Sequence, residues 1–402
     1  MKKKNIVFYF ASPPSIHVYK IASLFYKKGY KTTLVTMCEK EVLDINFYKT
    51  VFNEVIFSNF QFFKPNKKTF LYLLKRGPSF IKFLIKMRTL KPFAVIGTAG
   101  ANWQLKVAHK YFFKKFPFIY FPYDIISLYS NSREEALAKG FKSFDLGAEK
   151  YCLENSNGIL HKGSPDELEF FNDKNVSLPK NQLSFSTYSS KEFSVPINKN
   201  KLSKKDKEIH IVYAGFFFND EESVKIITNR FNEILSQNLH LHVYAHVNHI
   251  PKNQAEAYFK DLLQGFTKSE YFHIHPALGP KEIIKEMTKY DYSLWINTLN
   301  QKLPDNKYHS GNKVASYLEA GVPMIYSKES LYIDELMKHY GLGELGFKKN
   351  FKGLRKRLKK LNYKEIERKT IDAREDFDMD KNFPRLERFI EEVVASKKTK
   401  QY

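Results

Sequence analysis

Lys313 stands in the first turn of a helix announced by Ser310–Ile325, SGNKVASYLEAGVPMI. A cation is unfavourable there against the helix dipole. Gly311 and Asn312 can form and cap the turn, because an Asn side chain satisfies orphan N–H groups at a helix start. An anion held jointly by Lys313 and the free N–H groups would resolve the misplaced charge. The plain alternative is an ordinary helix-to-strand joint with a stray lysine. Gly215 ends an apolar strand in Ala214-Gly215, where a missing side chain lets a phosphate approach the backbone. The alternative is a simple strand-end glycine. His17 follows the first strand and titrates near neutral pH, so it can serve as a general base or orient a hydroxyl. Its alternative is a structural histidine at a helix start. Asp124, after the strand Phe118–Phe121, is the rival base.

The remaining histidines are weighed with caution. His273 and His275 lie in FHIHPAL, a spacing that suggests a metal, but no Cys or carboxylate cluster is nearby in sequence. His240, His242, His246 and His249 alternate along a strand, which usually means packing and exposed faces. Trp295 and Asn297 end another strand and could border a donor and an acceptor, with His309 a further candidate in the following loop. No metal site is expected.

The elements that carry these residues alternate regularly. Asn5–Ala11 reads as a strand, Ile16–Lys28 as a helix closing at Gly29, and Lys31–Met37 as the next strand. Further strands are expected at Glu54–Ser58, Phe93–Gly97, Phe118–Phe121 and Gly158–His161, with one helix over Arg133–Asn155. This opening is that of a doubly wound α/β domain, whose ligands bind at the carboxyl ends of the strands. Gly97–Ala101 is rich in small residues and reads equally as a ligand approach or a tight turn. A polar stretch follows Asn172, and the alternation then restarts. Strands are expected at Ile209–Ala214, Leu239–Ala245, Phe272–His275, Tyr292–Asn297 and Val322–Tyr326. Helices are expected at Ser223–Leu235, Lys281–Lys289, Asn312–Ala320 and Ile333–Tyr340, with basic or amphipathic helices at Phe351–Lys360 and Arg385–Ala395.

Asn312, Lys313, Val314, Tyr317, Leu318, Ala320, Gly321, Pro323 and Ile325 together resemble the donor-site signature of GT-B glycosyltransferases. The resemblance covers the second half of the chain, and the first half in layout. It implies two Rossmann-like doubly wound α/β domains facing each other across a cleft. The expected division is 1–195, joined by a returning C-terminal helix at about 385–402, and 196–384. It also implies a nucleoside-diphosphate sugar as donor substrate, with no cofactor. Many such enzymes hold the ribose with a Glu five residues before the Gly. That position is Ser316 here, and Glu319 stands three residues later, so either is a candidate ribose contact. The resemblance further places a glycine-containing donor loop at Gly215 and backbone contacts to the nucleobase near His275. Transfer needs a stabilised diphosphate leaving group, and the second domain has no Asp-x-Asp metal motif. Lys313, Gly311, Asn312 and the Gly215 turn are therefore the expected cradle.

Composition limits the alternatives. A chain of 402 residues with 43% apolar residues is globular and long enough for two domains. Two cysteines, Cys38 and Cys152, argue against a disulfide framework and fit a reducing cytoplasm. The apolar run Ile6–Ala11 after MKKK is shorter than a signal peptide requires, so an opening strand is expected. No stretch approaches the ~20 apolar residues of a membrane span. The absence of G-x-G-x-x-G argues against a nicotinamide enzyme. The net charge of +23 fits phosphorylated substrates, an anionic membrane surface or nucleic acid, or reflects composition alone. Lys outnumbers Arg and no nucleic-acid-binding signature is present, so nucleic acid is not expected. The basic amphipathic stretch Phe70–Leu90 can lie on a membrane or pack on the sheet with a solvated basic face. The expectation is a cytoplasmic glycosyltransferase, peripheral on the inner face of the cell membrane, acting on a glycan or lipid-linked acceptor in surface polysaccharide or glycoconjugate synthesis. The alternatives are a sugar-nucleotide epimerase of the same fold and a basic nucleic-acid-binding protein.

Overall fold

The computed structural model describes residues 3–10, 15–37, 43–57, 77–99, 102–172, 174–216, 221–246, 263–297, 307–308, 310–348 and 350–399. The chain divides into two compact units, Met1–Ser186 with Asn382–Tyr402, and Thr187–Lys381.

In the first unit, seven strands are named among the described residues: β1 (Asn5–Phe10), β2 (Lys31–Thr36), β3 (Glu54–Phe57), β4 (Ala94–Ala99), β5 (Phe118–Pro122), β6 (Gly158–His161) and β7 (Gln182–Ser184). Their order is β3-β2-β1-β4-β5-β6-β7, and every pairing is parallel. A parallel strand is covered on both faces, which is why β1 and β5 read as continuous apolar runs. The sheet order reverses between β1 and β4, and such a switch point opens a crevice at the carboxyl edge.

Three expectations are refined here. Arg133–Asn155 is two helices, Arg133–Ala138 and Ser143–Asn155, because the chain turns through Gly140 at φ +89°. Gly97 serves packing: a Cβ there would lie 2.6 Å from both Leu105 and Phe118. Of Phe70–Leu90, residues 70–76 lie outside the described residues, and Gly77–Thr89 is a helix. Phe83, Met87 and Leu90 are buried, whereas Ile81 and Ile85 are more than half exposed beside Lys82 and Lys86. The helix Met379–Thr399 has most of its length in this unit, where Phe383 packs edge-on to Phe25 and Glu387 accepts from the Tyr30 hydroxyl at 2.7 Å.

The second unit has a sheet of β8 (His210–Phe216), β9 (His240–His246), β10 (Phe272–His275), β11 (Tyr292–Trp295), β12 (Met324–Ser327) and β13 (Gly346–Phe347). Its order, β10-β9-β8-β11-β12-β13, is the Rossmann order, and its switch point lies between β8 and β11. The helix Asn312–Ala320 forms as its spacing predicts, with Val314, Tyr317 and Leu318 buried and Gly321 as left-handed C-cap at φ +63°. Tyr317 fastens it to the sheet: its hydroxyl donates to the Leu294 carbonyl at 2.8 Å and accepts from the Ala214 N–H at 3.3 Å.

Among the described residues no helix is long and apolar enough to cross a membrane. Cys152 is a buried free thiol, and Cys38 lies outside the described residues.

Candidate functional site

Gly215 ends β8 on one side of the switch point of the second sheet, and Asn297 follows β11 on the other. Over Gly215 lies the end of the Lys313 side chain. A Cβ on Gly215 would sit 2.0 Å from Lys313 Cε and 2.3 Å from Nζ, so only glycine leaves room for this lysine. The ammonium donates to the Tyr213 hydroxyl at 2.9 Å and stands 4.2 Å from the centre of that ring. No carboxylate pairs with it among the described residues. Lys313 is half-buried as a residue, but its charged end is enclosed, and desolvation pushes its pKa down to about 7.

The helix that carries Lys313 begins without a side-chain cap; Gly311, extended at ψ 143°, is its N-cap residue. Gly311 thus offers the helix start no side-chain acceptor, and the Val314 N–H turns back to the Gly311 carbonyl at 3.1 Å. The turn is held from behind by Thr187, whose hydroxyl donates to the Gly311 carbonyl at 3.2 Å and lies 3.1 Å from Ser310 Oγ. Asn312 and Ser316 are half-buried and lie one turn apart, with the Ser316 hydroxyl 3.4 Å from the Asn312 carbonyl. A glycine backbone, an enclosed cation and an uncapped helix start thus share the carboxyl edge, an arrangement suited to a diphosphate.

Two residues of the expected donor set are occupied elsewhere. Glu319 is fully buried, and its carboxylate accepts from the Ser190 N–H at 2.8 Å while its carbonyl takes the Val195 N–H. It pins the segment that follows Thr187. The His275 imidazole, on the sheet-edge strand two strands from Gly215, stacks 4.5 Å from the Tyr244 ring and lies 3.0 Å from His242 Nδ1. The nucleobase contact that the sequence suggests here is one of the backbone, which this side-chain packing leaves in place. His309 and His249 lie outside the described residues.

The first unit has its own polar edge. His17 is buried just after β1, edge-on to Phe121, and its Nε2 has no partner among the described residues. Thr98 Oγ1, near the end of β4 across the switch point, is likewise without one. Burial, with the charges of Lys20 and Lys162, holds the His17 imidazole down to about 3, so it is neutral at physiological pH. Asp124 follows β5 and pairs with the buried Lys162 ammonium at 2.9 Å. That ammonium also lies 4.0 Å from the Tyr123 ring centre. Lys162 carried no signal in the sequence, because only the folded sheet edge brings it to His17, whereas Lys20 lies one helical turn on in the same helix.

No family model matches the chain, and no curated protein matches it in sequence. Solved structures do resemble it. Sucrose-phosphate synthase from Thermosynechococcus elongatus superposes with a TM-score of 0.68 at 11% identity, over 98% of this chain and 100% of that one. Anabaena HepE, solved with UDP and glucose, gives 0.62 at 10% identity, over 92% and 94%. A candidate UDP-N-acetylglucosamine 2-epimerase from Listeria monocytogenes gives 0.53 at 12% identity, over 92% and 91%. The chain therefore has the GT-B fold, with two Rossmann-like α/β units.

Proposed function

We propose that the protein is a glycosyltransferase that uses a nucleoside-diphosphate sugar. The observation that carries this reading is the Lys313 ammonium enclosed over Gly215, without a carboxylate partner among the described residues, beside an uncapped helix start. In this reading the diphosphate lies against the Gly215 backbone, the first N–H groups of the Asn312–Ala320 helix and Lys313. As the sugar C1–oxygen bond breaks, negative charge grows on the leaving phosphate, and these groups stabilise it where it develops. Ser316 is the nearer candidate for the ribose and Asn297 borders the sugar. No metal is invoked in this step.

The first unit contributes the acceptor side. Neutral His17 orients the acceptor hydroxyl, and Asp124, held by Lys162, is the alternative group to receive its proton. A glycan or lipid-linked acceptor of a surface polysaccharide fits the basic surface and the exposed Ile81 and Ile85 beside Lys82 and Lys86. A cytoplasmic protein peripheral on the inner membrane face is the corresponding location.

The direct test is thermal stabilisation by UDP, GDP, CMP, ADP and their sugars. A ligand at a hundred times its Kd adds about 2.7 kcal/mol, a readily measured shift. One base should stabilise the wild type and fail with Lys313→Ala. Absence of any shift would overturn the reading. Conversion of the sugar nucleotide to its epimer, without transfer to an acceptor, would favour the epimerase alternative.

A further inference from the structure

We propose a second ligand site, for a divalent transition-metal ion of the zinc class, at the amino-terminal edge of the second sheet. Its ligands are Asp206, His210 and His240, one ligand atom of each lying within 4.8 Å of the others. His210 opens β8, His240 opens β9, and the two are register partners whose rings stack 4.5 Å apart and 10° from parallel. Asp206 ends the short helix Ser203–Asp206, and its carboxylate lies 2.9 Å from His210 Nε2. The site is separate from the Gly215–Lys313 edge, which lies at the other end of β8, and it does not depend on the donor reading.

What distinguishes this cluster from ordinary packing is the hydrogen bonding behind it. His210 Nδ1 lies 2.9 Å from His242 Nε2, and His242 Nδ1 lies 3.0 Å from His275 Nε2. In parallel, His240 Nδ1 lies 2.9 Å from His273 Nε2. Two proton arrangements satisfy the contacts between the histidines, and in one of them each histidine carries its proton on Nδ1 and donates it to the next strand. The Nε2 lone pairs of His210 and His240 are then bare beside the Asp206 carboxylate. A metal-binding histidine is held in this way, through a hydrogen bond from its other ring nitrogen. The reverse arrangement puts an Nε2–H of His210 on Asp206 and binds no metal, so the two states are experimentally distinct.

The carboxylates acting on His240 are Asp206, Glu208 and Glu270; Glu208 is paired with Arg355, and Lys204, Lys205 and Lys207 flank Asp206 in the chain. Two imidazoles and a carboxylate form a donor set that zinc accepts, with a fourth position open to water. Bonds of about 2.0–2.1 Å require ligand atoms roughly 3.3 Å apart. Asp206, with a side chain 44% exposed, can move to meet that spacing, and the His210 and His240 rings, now stacked 10° from parallel, must tilt toward each other for both lone pairs to face one ion. The ion would tie the Ser203–Asp206 helix to β9. Sequence alone did not disclose the set, because His240 comes from the next strand, although Asp206 and His210 stand four residues apart.

The test is titration of untagged protein with Co²⁺, read by its ligand-field absorption, and with Zn²⁺, read by calorimetry. One equivalent per chain is expected, with at least tenfold weaker binding in Asp206→Asn and in His240→Gln and no change in Lys313→Ala. Zn²⁺ should also raise the melting temperature of the wild type but not of Asp206→Asn, a surface change that leaves the fold intact. No stoichiometric binding, or binding that survives both ligand substitutions, would overturn the proposal.

Discussion

Lys313 fills the space that any side chain at Gly215 would need, its Nζ 2.3 Å from where a Cβ would stand. The two positions are therefore one functional unit. Gly215→Ala should fold, since the obstructing atoms belong to the end of a flexible side chain. It should weaken nucleotide binding about tenfold or more, equivalent to ~1.4 kcal/mol, by displacing the ammonium. Lys313→Ala should cost roughly 2–3 kcal/mol of donor binding, the value of a lost charge-assisted contact. Lys313→Met should go further and stabilise the free protein by on the order of 1 kcal/mol, because an enclosed charge is replaced by an apolar chain. Denaturation midpoints with and without nucleotide check both halves of the trade.

Nucleotide affinity should depend on pH through Lys313. Its folded pKa is lowered from 10.5 to about 7, so the free protein binds fewer protons than the unfolded chain between these values. The stability contribution of this group is present above 10.5 and lost as pH falls through 7. A bound diphosphate favours the charged lysine and draws a proton back. Affinity should therefore fall from pH 7 to pH 9, with proton uptake visible as a buffer-dependent binding enthalpy. Equal affinity and no proton uptake would remove Lys313 from the site.

Ser316 and Glu319 should separate cleanly. Glu319→Ala leaves the buried Ser190 N–H without its acceptor and should destabilise the second unit by roughly 2–3 kcal/mol. Its folded fraction should still bind nucleotide. Ser316→Ala should leave stability nearly unchanged and weaken nucleotide binding. The opposite pattern would make Glu319 the ribose contact.

His17 should act without titrating in the working range. Because its imidazole is held down to about 3, the pH–rate profile should have no limb between pH 5 and 8 from this residue. His17→Asn should lower turnover on the order of 10²-fold through misplacement of the acceptor while the donor-induced melting shift is preserved.

The helix Gly77–Thr89 offers a test of membrane contact. Its inward face is packed through Phe83 and Met87, so Ile81→Ser, Lys82→Glu and Ile85→Ser act on the outer face alone. Together they should reduce binding to anionic vesicles severalfold and leave the melting temperature within a degree or two. Unchanged vesicle binding would assign the basic face to solvent.

The sequence by itself determined the layout. Continuous apolar runs fix which segments are buried parallel strands. Helical spacing and the Gly321 stop fix the Asn312–Ala320 helix, and the lysine in its first turn is what makes that helix start a candidate anion site. These are local signals, written within a dozen residues of one another. Only the tertiary structure decided which side chains are available to a ligand. It covered Glu319 with the segment after Thr187, turned His275 onto Tyr244 and brought Lys162 to His17. It also lined up His210, His240, His242, His273 and His275 across three strands, where the sequence offered His240 and His242 as packing positions and His273 and His275 as a spacing without a carboxylate nearby. Register between strands distant in sequence, and the desolvation that register imposes, cannot be read from any one of them.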